Sequence, residues 1–428
     1  MTRLLLGVIV LVFMLVSAAV ISLLRPATDP GLNLIAFVSA DGEVLTMRPD
    51  GLQVNRITPD VEGFFTWPTW SPDGNTLVYS GVVQQGEELQ LNLYASDVSG
   101  NASRVLYASD PGEVGLLAQG VVHYPLWSPL GEQLAFIAIK GDGLSLFIDD
   151  LSDDPDAQHL LDDGPLWMSW SGDATLLAIH RGPDHFLITV DDEPKEQPID
   201  IAAIGYRVPA FSPSDGTLTL RNQPSAVSAS VSSVRLEGAK VKSITPLRSV
   251  EGQAAFLWSN DGAYLAVAEA SQYFRYRDTA LPAYDGIAVV PADSTRDVVE
   301  LDLPVLAFFW SPDGTRIALV TLSERRNALS WALYDVETNE RMRLVDFVPS
   351  AEQLTMFQFF DQYAYSHSIW SPDSASIVFA GDLLTDSVTA SAKGHPGHAS
   401  FHIVVVDVEP VAVAHVIAEG IMGFWSPR

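Results

Sequence analysis

The chain of 428 residues contains no cysteine and carries little positive charge. The absence of cysteine excludes disulfide bonds, thiolate metal ligands and cysteine nucleophiles. With 24 lysines and arginines against 53 aspartates and glutamates, the formal net charge is −29. Because so acidic a surface repels the phosphates of DNA and RNA, we do not expect a nucleic-acid-binding protein.

Signatures of catalysis are also missing from the sequence. It has no Gly-x-Ser-x-Gly nucleophile elbow, no phosphate-binding loop and no dinucleotide fingerprint. We therefore expect no cofactor, and a non-enzymatic role is favoured. A catalytic pair of carboxylates at a channel mouth, as in glycosidases, stays an alternative. The two acidic residues would be well separated in the chain, and their spacing in the sequence does not show whether they lie close in space.

One long apolar run stands at the start of the chain. Leu4 to Leu24 is 21 residues without a charge, between Arg3 and Arg25. A helix of that length is roughly 30 Å long and spans a bilayer. We expect residues 1–25 to form an uncleaved membrane anchor and 26–32 a linker; a cleaved signal peptide and a buried helix are the alternatives.

A Trp-Ser-Pro tripeptide recurs through the rest of the chain, and its copies are called the marks below. Eight copies, five complete and three degenerate, lie 41 to 60 residues apart. Self-similarity at this period indicates a repeat architecture. The first residues of the marks are Trp70, Trp127, Trp170, Phe211, Trp258, Trp310, Trp370 and Trp425.

Each mark is set in the same local pattern. An apolar stretch ends at Trp70, Pro72-Asp73-Gly74 supplies turn chemistry, and Leu77-Val78-Tyr79 follows as a second strand. Two further strands complete the repeat, as at Leu91-Asn92-Leu93-Tyr94. Four short strands per repeat of about 50 residues predict an all-β fold built from propeller blades.

The Trp-Ser-Pro-Asp-Gly turn followed by an Ile/Leu-Ala-Phe strand resembles the TolB-like, WD40-like repeat (PD40 type), which also forms the propellers of prolyl-oligopeptidase-type enzymes. The resemblance covers residues 33–428 and implies a β-propeller. The sequence has no α/β domain before the repeats and no hydrolase domain after them. Neither TolB-type outer-membrane partners nor peptidase activity is therefore expected.

The two ends of the repeat region predict how the ring closes. Ile35 to Ser39 matches the second strand of a blade, but no first strand precedes it. Met422 to Pro427 matches the first strand of a blade, but no second strand follows it. Pairing them would remove two exposed sheet edges. We expect eight blades, with seven as the alternative because the copy at Phe211 is weak.

The long insertions are expected to share one face of the propeller. In an up-and-down blade, the strand 2–3 loops (81–88, 271–285 and 382–400) and the blade-to-blade connections (108–123 and 349–367) lie opposite the marked turns. Elaborated loops usually carry binding. The nine residues 25–33 span at most about 30 Å, so we expect the marked turns to face the membrane.

We expect the aromatic residues of the marks to pack between blades rather than to form a ligand-stacking array. The best interaction patch combines aromatic residues with arginine, the side chains favoured at interface hot spots. It could bind a partner or fold over the propeller's own surface. Its members are Tyr273, Phe274, Arg275, Tyr276 and Arg277.

Two further clusters bear on metal binding. His367, His395, His398 and His402 are brought toward the insertion face by blade topology and could bind zinc or copper, although a flexible loop explains their setting as well. The acidic run 149–156 could hold calcium but lacks the glycine-centred spacing of known loops, which favours a solvated turn.

The apolar segment Met356 to Tyr365 runs into the last repeat. We expect part of it to be core and the remainder to line a pocket or an interface. Taken together, the sequence predicts a single-pass membrane protein with an extracytoplasmic propeller that binds an envelope protein or complex. A channel-mouth enzyme, a carbohydrate- or ion-binding propeller, and a structural subunit of a membrane complex are the alternatives.

Overall fold

The computed structural model describes residues 33–113, 121–141, 143–152, 157–162, 164, 166–190, 194–201, 207–225, 228–276, 279–293, 296–325, 327–384, 401–408 and 412–428. Within these ranges the chain forms β-strands and two short helices. The run Leu4–Leu24 lies outside them. No helix in the described ranges is long and apolar enough to cross a membrane.

The strands form seven antiparallel sheets, numbered here along the chain. Sheet 1 contains β1 (Ile35–Val38), β2 (Val44–Met47), β3 (Asn55–Arg56) and β31 (Met422–Trp425) in the order β3-β2-β1-β31. Sheet 2 contains β4 (Gly63–Trp70), β5 (Thr76–Gln85), β6 (Glu88–Asp97) and β7 (Ser103–Ala108). Sheet 3 contains β8 (Tyr124–Trp127), β9 (Leu134–Lys140), β10 (Gly143–Asp149) and β11 (Gln158–Leu161). Sheet 4 contains β12 (Leu166–Trp170), β13 (Leu176–Arg181), β14 (Asp184–Thr189) and β15 (Lys195–Ile199).

The remaining sheets continue the same up-and-down order. Sheet 5 contains β16 (Ala210–Phe211), β17 (Leu218–Ser225), β18 (Ser228–Glu237) and β19 (Lys240–Val250). Sheet 6 contains β20 (Gln253–Trp258), β21 (Tyr264–Tyr276), β22 (Thr279–Pro291) and β23 (Val299–Leu301). Sheet 7 contains seven strands: β24 (Ala307–Trp310), β25 (Arg316–Leu322), β26 (Leu329–Asp335), β27 (Arg341–Pro349), β28 (Ser376–Leu383), β29 (His402–Asp407) and β30 (Val413–Glu419).

The first strand of each four-stranded run is mostly buried, and the last is more exposed than the first. All four residues of β8 and of β24 are buried, whereas both residues of β3 are exposed. Successive antiparallel sheets that share a buried inner edge form a β-propeller, and the expected all-β propeller architecture is confirmed.

The predicted closure of the ring is also confirmed. Strand β1 pairs with β31 in a register that runs from Ile35 opposite Trp425 to Val38 opposite Met422. Strand β31 therefore takes the inner position of sheet 1, which the first strand takes in the other sheets. No edge is left open where the two ends meet.

The marked aromatic residues pack between neighbouring sheets. Every one of them is at most 9% exposed. In four cases the indole N–H donates to the backbone carbonyl of the residue directly before another mark. These bonds run from Trp70 to Phe424, from Trp170 to Leu126, from Trp310 to Leu257 and from Trp370 to Phe309, at 3.0–3.3 Å.

In five of the marked turns, a serine and an aspartate explain the local geometry. In the turn after Trp170, the Ser171 hydroxyl donates to Asp173 at 2.6 Å and accepts from the Leu176 amide at 2.9 Å. Asp173 also accepts from the amide of Thr175. The hydrogen bond from Ser171 lowers the pKa of Asp173. Equivalent Ser–Asp bonds follow Trp70, Trp258, Trp310 and Trp370.

Two of the insertions that were predicted to be loops form regular hairpins instead. Strands β5 and β6 extend the 81–88 insertion into a hairpin, and β21 and β22 do the same for 271–285. Both hairpins turn at the end opposite the marks, and this face of the propeller is called the arm face below. Residues 114–120 and 385–400 of two other insertions lie outside the described residues.

Candidate functional site

The connection between β27 and the mark at Trp370 forms the two helices found among the described residues. Helix α1 (Ala351–Gln358) is capped by Ser350, whose hydroxyl accepts from the Gln353 amide at 3.0 Å. Helix α2 (Phe360–Tyr363) follows directly. Residues 350–368, which include both helices, are called the plug below.

The plug contacts the inner strands of several sheets. Tyr363 stacks on Trp67 of sheet 2 at a centroid distance of 4.6 Å, and the Tyr124 hydroxyl of sheet 3 donates to the Gln362 carbonyl at 3.1 Å. Phe360 packs against Phe308 of β24, the first strand of sheet 7, at a centroid distance of 4.7 Å. Only a segment on the common axis can touch the inner edges of sheets so far apart in the ring. The plug therefore fills the central channel.

Trp67 has an unusual backbone. Its φ is +56°, a region that bulky side chains rarely adopt, and it precedes Pro68 at an irregularity of the β4–β5 pairing. Its backbone N–H lies 3.3 Å from the Met422 sulfur. Because such strain persists only where the surroundings impose it, the stack with Tyr363 belongs to a tightly determined part of the channel.

A charged pair is buried beside the plug. A guanidinium nitrogen of Arg207 lies 3.7 Å from a carboxylate oxygen of Asp361, and the two side chains are 10% and 7% exposed. Burial raises the pKa of Asp361, and the neighbouring Arg207 opposes that rise. Arg207 also donates to Gln253 of sheet 6 at 3.0 Å. The pair ties α2 to the wall of the channel.

His367 lies in the plug, and its imidazole is buried. Its Nε2 is 3.1 Å from the Thr69 hydroxyl and its Nδ1 is 2.7 Å from the Ser366 hydroxyl. Burial lowers its pKa to about 3. Both ring nitrogens are thus engaged in hydrogen bonds within the channel, and metal binding by His367 stays a prediction.

His402 lies on β29, and its Nδ1 is 3.0 Å from an Asp382 carboxylate oxygen. His395 and His398 lie outside the described residues. Where the chain is described, no group of three potential metal ligands occurs. A metal site that includes His402 stays a prediction.

The acidic run is described only in part, since residues 153–156 lie outside the described ranges. Asp149 is 4% exposed, and one carboxylate oxygen accepts from the Leu151 amide at 2.6 Å. Burial raises the pKa of Asp149. Arg104 of the preceding sheet donates to the carbonyls of Leu151 and Ser152, so an ordered turn accounts for this part of the run.

The aromatic patch belongs to the β21–β22 hairpin on the arm face. Tyr273 is 59% exposed, and its hydroxyl donates to Gln253 at 2.9 Å. Tyr276 is buried and donates to the Asn327 carbonyl at 2.8 Å, while Phe274 is partly buried against the core. Arg275 belongs to the same strand, and Arg277 lies outside the described residues. The patch therefore divides into an inward and an outward side.

A concavity lies at the other end of the channel, on the face of the marked turns, called the marked face below. It is a cavity of about 500 Å³. Marks of six sheets surround it, and plug residues 364–368 form its floor. Sequence reasoning missed this cavity, because it interpreted the marks as packing alone and did not place the plug. The marks that line it are Trp70, Trp127, Trp170, Phe211, Trp258 and Trp425.

Comparisons with known proteins support the architecture. No protein-family model matches this chain, and no curated protein matches it. A solved eukaryotic initiation factor is 13% identical, with 93% of this chain and 99% of that chain covered and a TM-score of 0.51. The dihydro-heme d1 dehydrogenase NirN is also 13% identical, with 94% and 77% covered and a TM-score of 0.50.

TolB from Acinetobacter baumannii is 15% identical, with 73% of this chain and 63% of that chain covered and a TM-score of 0.38. Likenesses at these identities show a fold and not an activity.

Proposed function

We propose that the protein is a membrane-anchored, extracytoplasmic scaffold that binds another envelope protein or complex through its arm face. The observation that carries the proposal is the β21–β22 hairpin. Its strands are 13 residues each, and Tyr273 stands on it with 59% of its surface exposed. An exposed tyrosine on a paired, rigid element is a suitable anchor for a protein interface.

A second hairpin supports the use of this face. Strands β5 and β6 are 10 residues each and end in a turn at Gly86, with Leu89 43% exposed. The two hairpins belong to sheets 2 and 6. A partner seated on the arm face would therefore meet projecting, hydrogen-bonded arms rather than single loops.

The interior of the channel favours binding over catalysis. The plug fills the axis, and the described residues that line the cavity on the marked face include no Asp, Glu, Lys or Arg. A carboxylate pair of the glycosidase type needs two acidic side chains across a cavity. The buried Asp361 is instead paired with Arg207 beside the plug.

Eight blades are part of the proposal. Sheets 1 to 6 have four strands each, and sheet 7 has seven. Sheet 7 is two blades joined at their edges, where β27 pairs with β28 from Phe347 opposite Leu383 to Pro349 opposite Gly381. An isolated bridge between Trp370 and Ile377 takes the place of the inner strand of the eighth blade.

Two observations support a membrane anchor. One is the apolar run Leu4–Leu24, and the other is the position of Asn33, the first described residue. Asn33 lies on the marked face, because its side chain accepts from the Trp425 indole at 2.6 Å and its amide donates to the Arg428 carbonyl. A linker of residues 26–32 would hold that face toward the bilayer. The arm face would then point away from the membrane and toward a partner.

A pair of photocrosslinking variants tests the proposal in native membranes. Tyr273 on the arm face and Leu130 in a marked turn are both 59% exposed. With p-benzoylphenylalanine at position 273, full-length protein should crosslink to one envelope protein. At position 130 it should crosslink to lipid. Absence of a protein adduct from position 273, or the same adducts from both positions, would refute the arrangement.

A further inference from the structure

The cavity on the marked face has a composition that differs from the rest of the protein. The chain carries 77 charged residues, counted as 24 basic and 53 acidic. Among the described residues around this cavity, none is acidic, lysine or arginine, and the wall is formed by aromatic residues, prolines, Met168 and Leu126. Its volume of about 500 Å³ falls within the range of small-molecule sites.

The indole groups around the cavity are mostly engaged with the protein itself. Trp70 and Trp170 donate to carbonyls of neighbouring sheets, Trp258 donates to the Thr219 hydroxyl at 3.0 Å, and Trp425 donates to Asn33. These N–H groups are therefore not available to a ligand.

The hydroxyls of the wall are also engaged. Ser128 accepts from the Gln133 amide at 3.1 Å, Ser366 bonds His367 at 2.7 Å, and Ser368 donates to the Trp370 carbonyl at 3.0 Å. A sugar or an ion binds through many free donors and acceptors, and burying its polar groups without partners costs free energy. Most polar groups of this wall are already paired, with the indole N–H of Trp127 as an exception, and such a wall favours an apolar ligand.

The floor of the cavity supplies an exposed aromatic surface. Tyr365 is 40% exposed, although Tyr363 and His367 on either side of it in the plug are buried. Its hydroxyl accepts from the Trp258 amide, which holds the side chain at the cavity. An exposed aromatic side chain enclosed by other aromatic side chains is a surface on which a flat or hydrocarbon ligand can pack.

We propose that the cavity on the marked face binds an uncharged, predominantly apolar small molecule. This inference is independent of the partner proposed for the arm face, since the two surfaces lie at opposite ends of the plugged channel. The ligand would rest on Tyr365 and contact the marks, and it would need few hydrogen bonds from the wall.

One glycine provides a blocking variant. A Cβ at Gly172, which lines the cavity, would meet no atom within 4 Å, and its φ is not in the left-handed region. Gly172→Trp therefore adds an indole at the cavity without a backbone clash. Gly143 is equally unobstructed but lies at the start of β10, away from the cavity, and Gly143→Trp is the matched control.

The test is photolabelling of the full-length chain in lipid nanodiscs with phenyl trifluoromethyl diazirine, a neutral aromatic probe, followed by peptide mass spectrometry. We expect adducts on peptides that contain Met168 or Tyr365. Gly172→Trp should weaken apparent affinity at least about tenfold, while Gly143→Trp leaves it unchanged. Labelling of these peptides that is insensitive to Gly172→Trp, or reduced equally by both variants, would overturn the proposal.

A competition on the wild-type chain keeps the test decisive even if Gly172→Trp folds poorly. Excess naphthalene should protect the labelled peptides, and excess maltotriose should not. Protection by maltotriose alone would show a carbohydrate site instead, and protection by neither would show that no apolar site exists there.

Discussion

The ring of Trp67 stacks on the ring of Tyr363 at 4.6 Å with an angle of 16° between their planes, although 296 residues separate them in the chain (363 − 67). One ring belongs to the inner strand of sheet 2 and the other to helix α2. This contact joins the wall of the propeller to the segment that fills its channel.

The stack predicts that two tyrosines contribute very differently to the free energy of unfolding. Tyr363 is 4% exposed and Tyr273 is 59% exposed. Tyr363→Ala should lower the free energy of unfolding by about 3–5 kcal/mol, because it leaves a cavity against Trp67. Tyr273→Ala should change it by no more than about 0.5 kcal/mol. Urea unfolding measures both, and equal losses would contradict a packed plug.

Two of the marks, Trp170 and Trp127, predict different losses of stability when each is replaced by phenylalanine. Trp170 donates its indole N–H to the Leu126 carbonyl at 3.1 Å, whereas the buried indole nitrogen of Trp127 has no hydrogen-bond partner among the described residues. Trp170→Phe should therefore cost about 1 kcal/mol more than Trp127→Phe, because only the first removes a hydrogen bond. Thermal and urea unfolding of both variants test this, and a larger loss for Trp127→Phe would contradict it.

The buried pair Arg207–Asp361 predicts strong non-additivity. Asp361→Leu should cost about 3–5 kcal/mol, because it leaves the guanidinium of Arg207 buried beside an apolar residue. The double variant Arg207→Met with Asp361→Leu should cost much less than the sum of the single changes. A double-mutant cycle by urea unfolding gives the coupling, and additive losses would show that the pair does not interact.

A buried histidine predicts loss of stability in weak acid. Burial lowers the pKa of His123 to about 3, whereas an unfolded histidine titrates near 6.5. The unfolded chain therefore binds the proton first, and stability is lost as the pH falls from about 6.5 toward 3. By pH 5 this one group accounts for about 2 kcal/mol.

His123→Gln removes that titration and retains a group able to bond the Ser80 hydroxyl, which lies 3.1 Å from Nδ1 of His123. The difference in unfolding free energy between pH 7 and pH 5 should shrink by about 2 kcal/mol in this variant. An unchanged difference would show that His123 is not the neutral buried group described above.

The features predicted correctly from the sequence are those set by local pattern. Turns follow the marks, as the Pro-Asp-Gly pattern predicted, and β1 pairs with β31, as the unmatched strands at the two ends of the repeat region predicted. The division of the aromatic patch could also have been predicted. Once the segment is read as strand, alternation places Phe274 and Tyr276 on one side and Tyr273 on the other.

The plug could not be predicted in this way, because its position depends on contacts remote in sequence. Tyr124 and Gln362 bond across 238 residues, and Arg207 meets Asp361 across 154 (361 − 207). Local pattern showed only that Met356 to Tyr365 is apolar. The cavity on the marked face could not be predicted for the same reason, because it exists only where the marks of several sheets meet the plug.

Amide hydrogen exchange of the plug tests the central claim most directly, namely that residues 350–368 fill the channel and leave binding to the surfaces at its two ends. The account predicts that peptides covering α1 and α2 exchange as slowly as those covering the buried inner strand β24. Exchange of these peptides at the rate of an exposed connection, with β24 still protected, would contradict it.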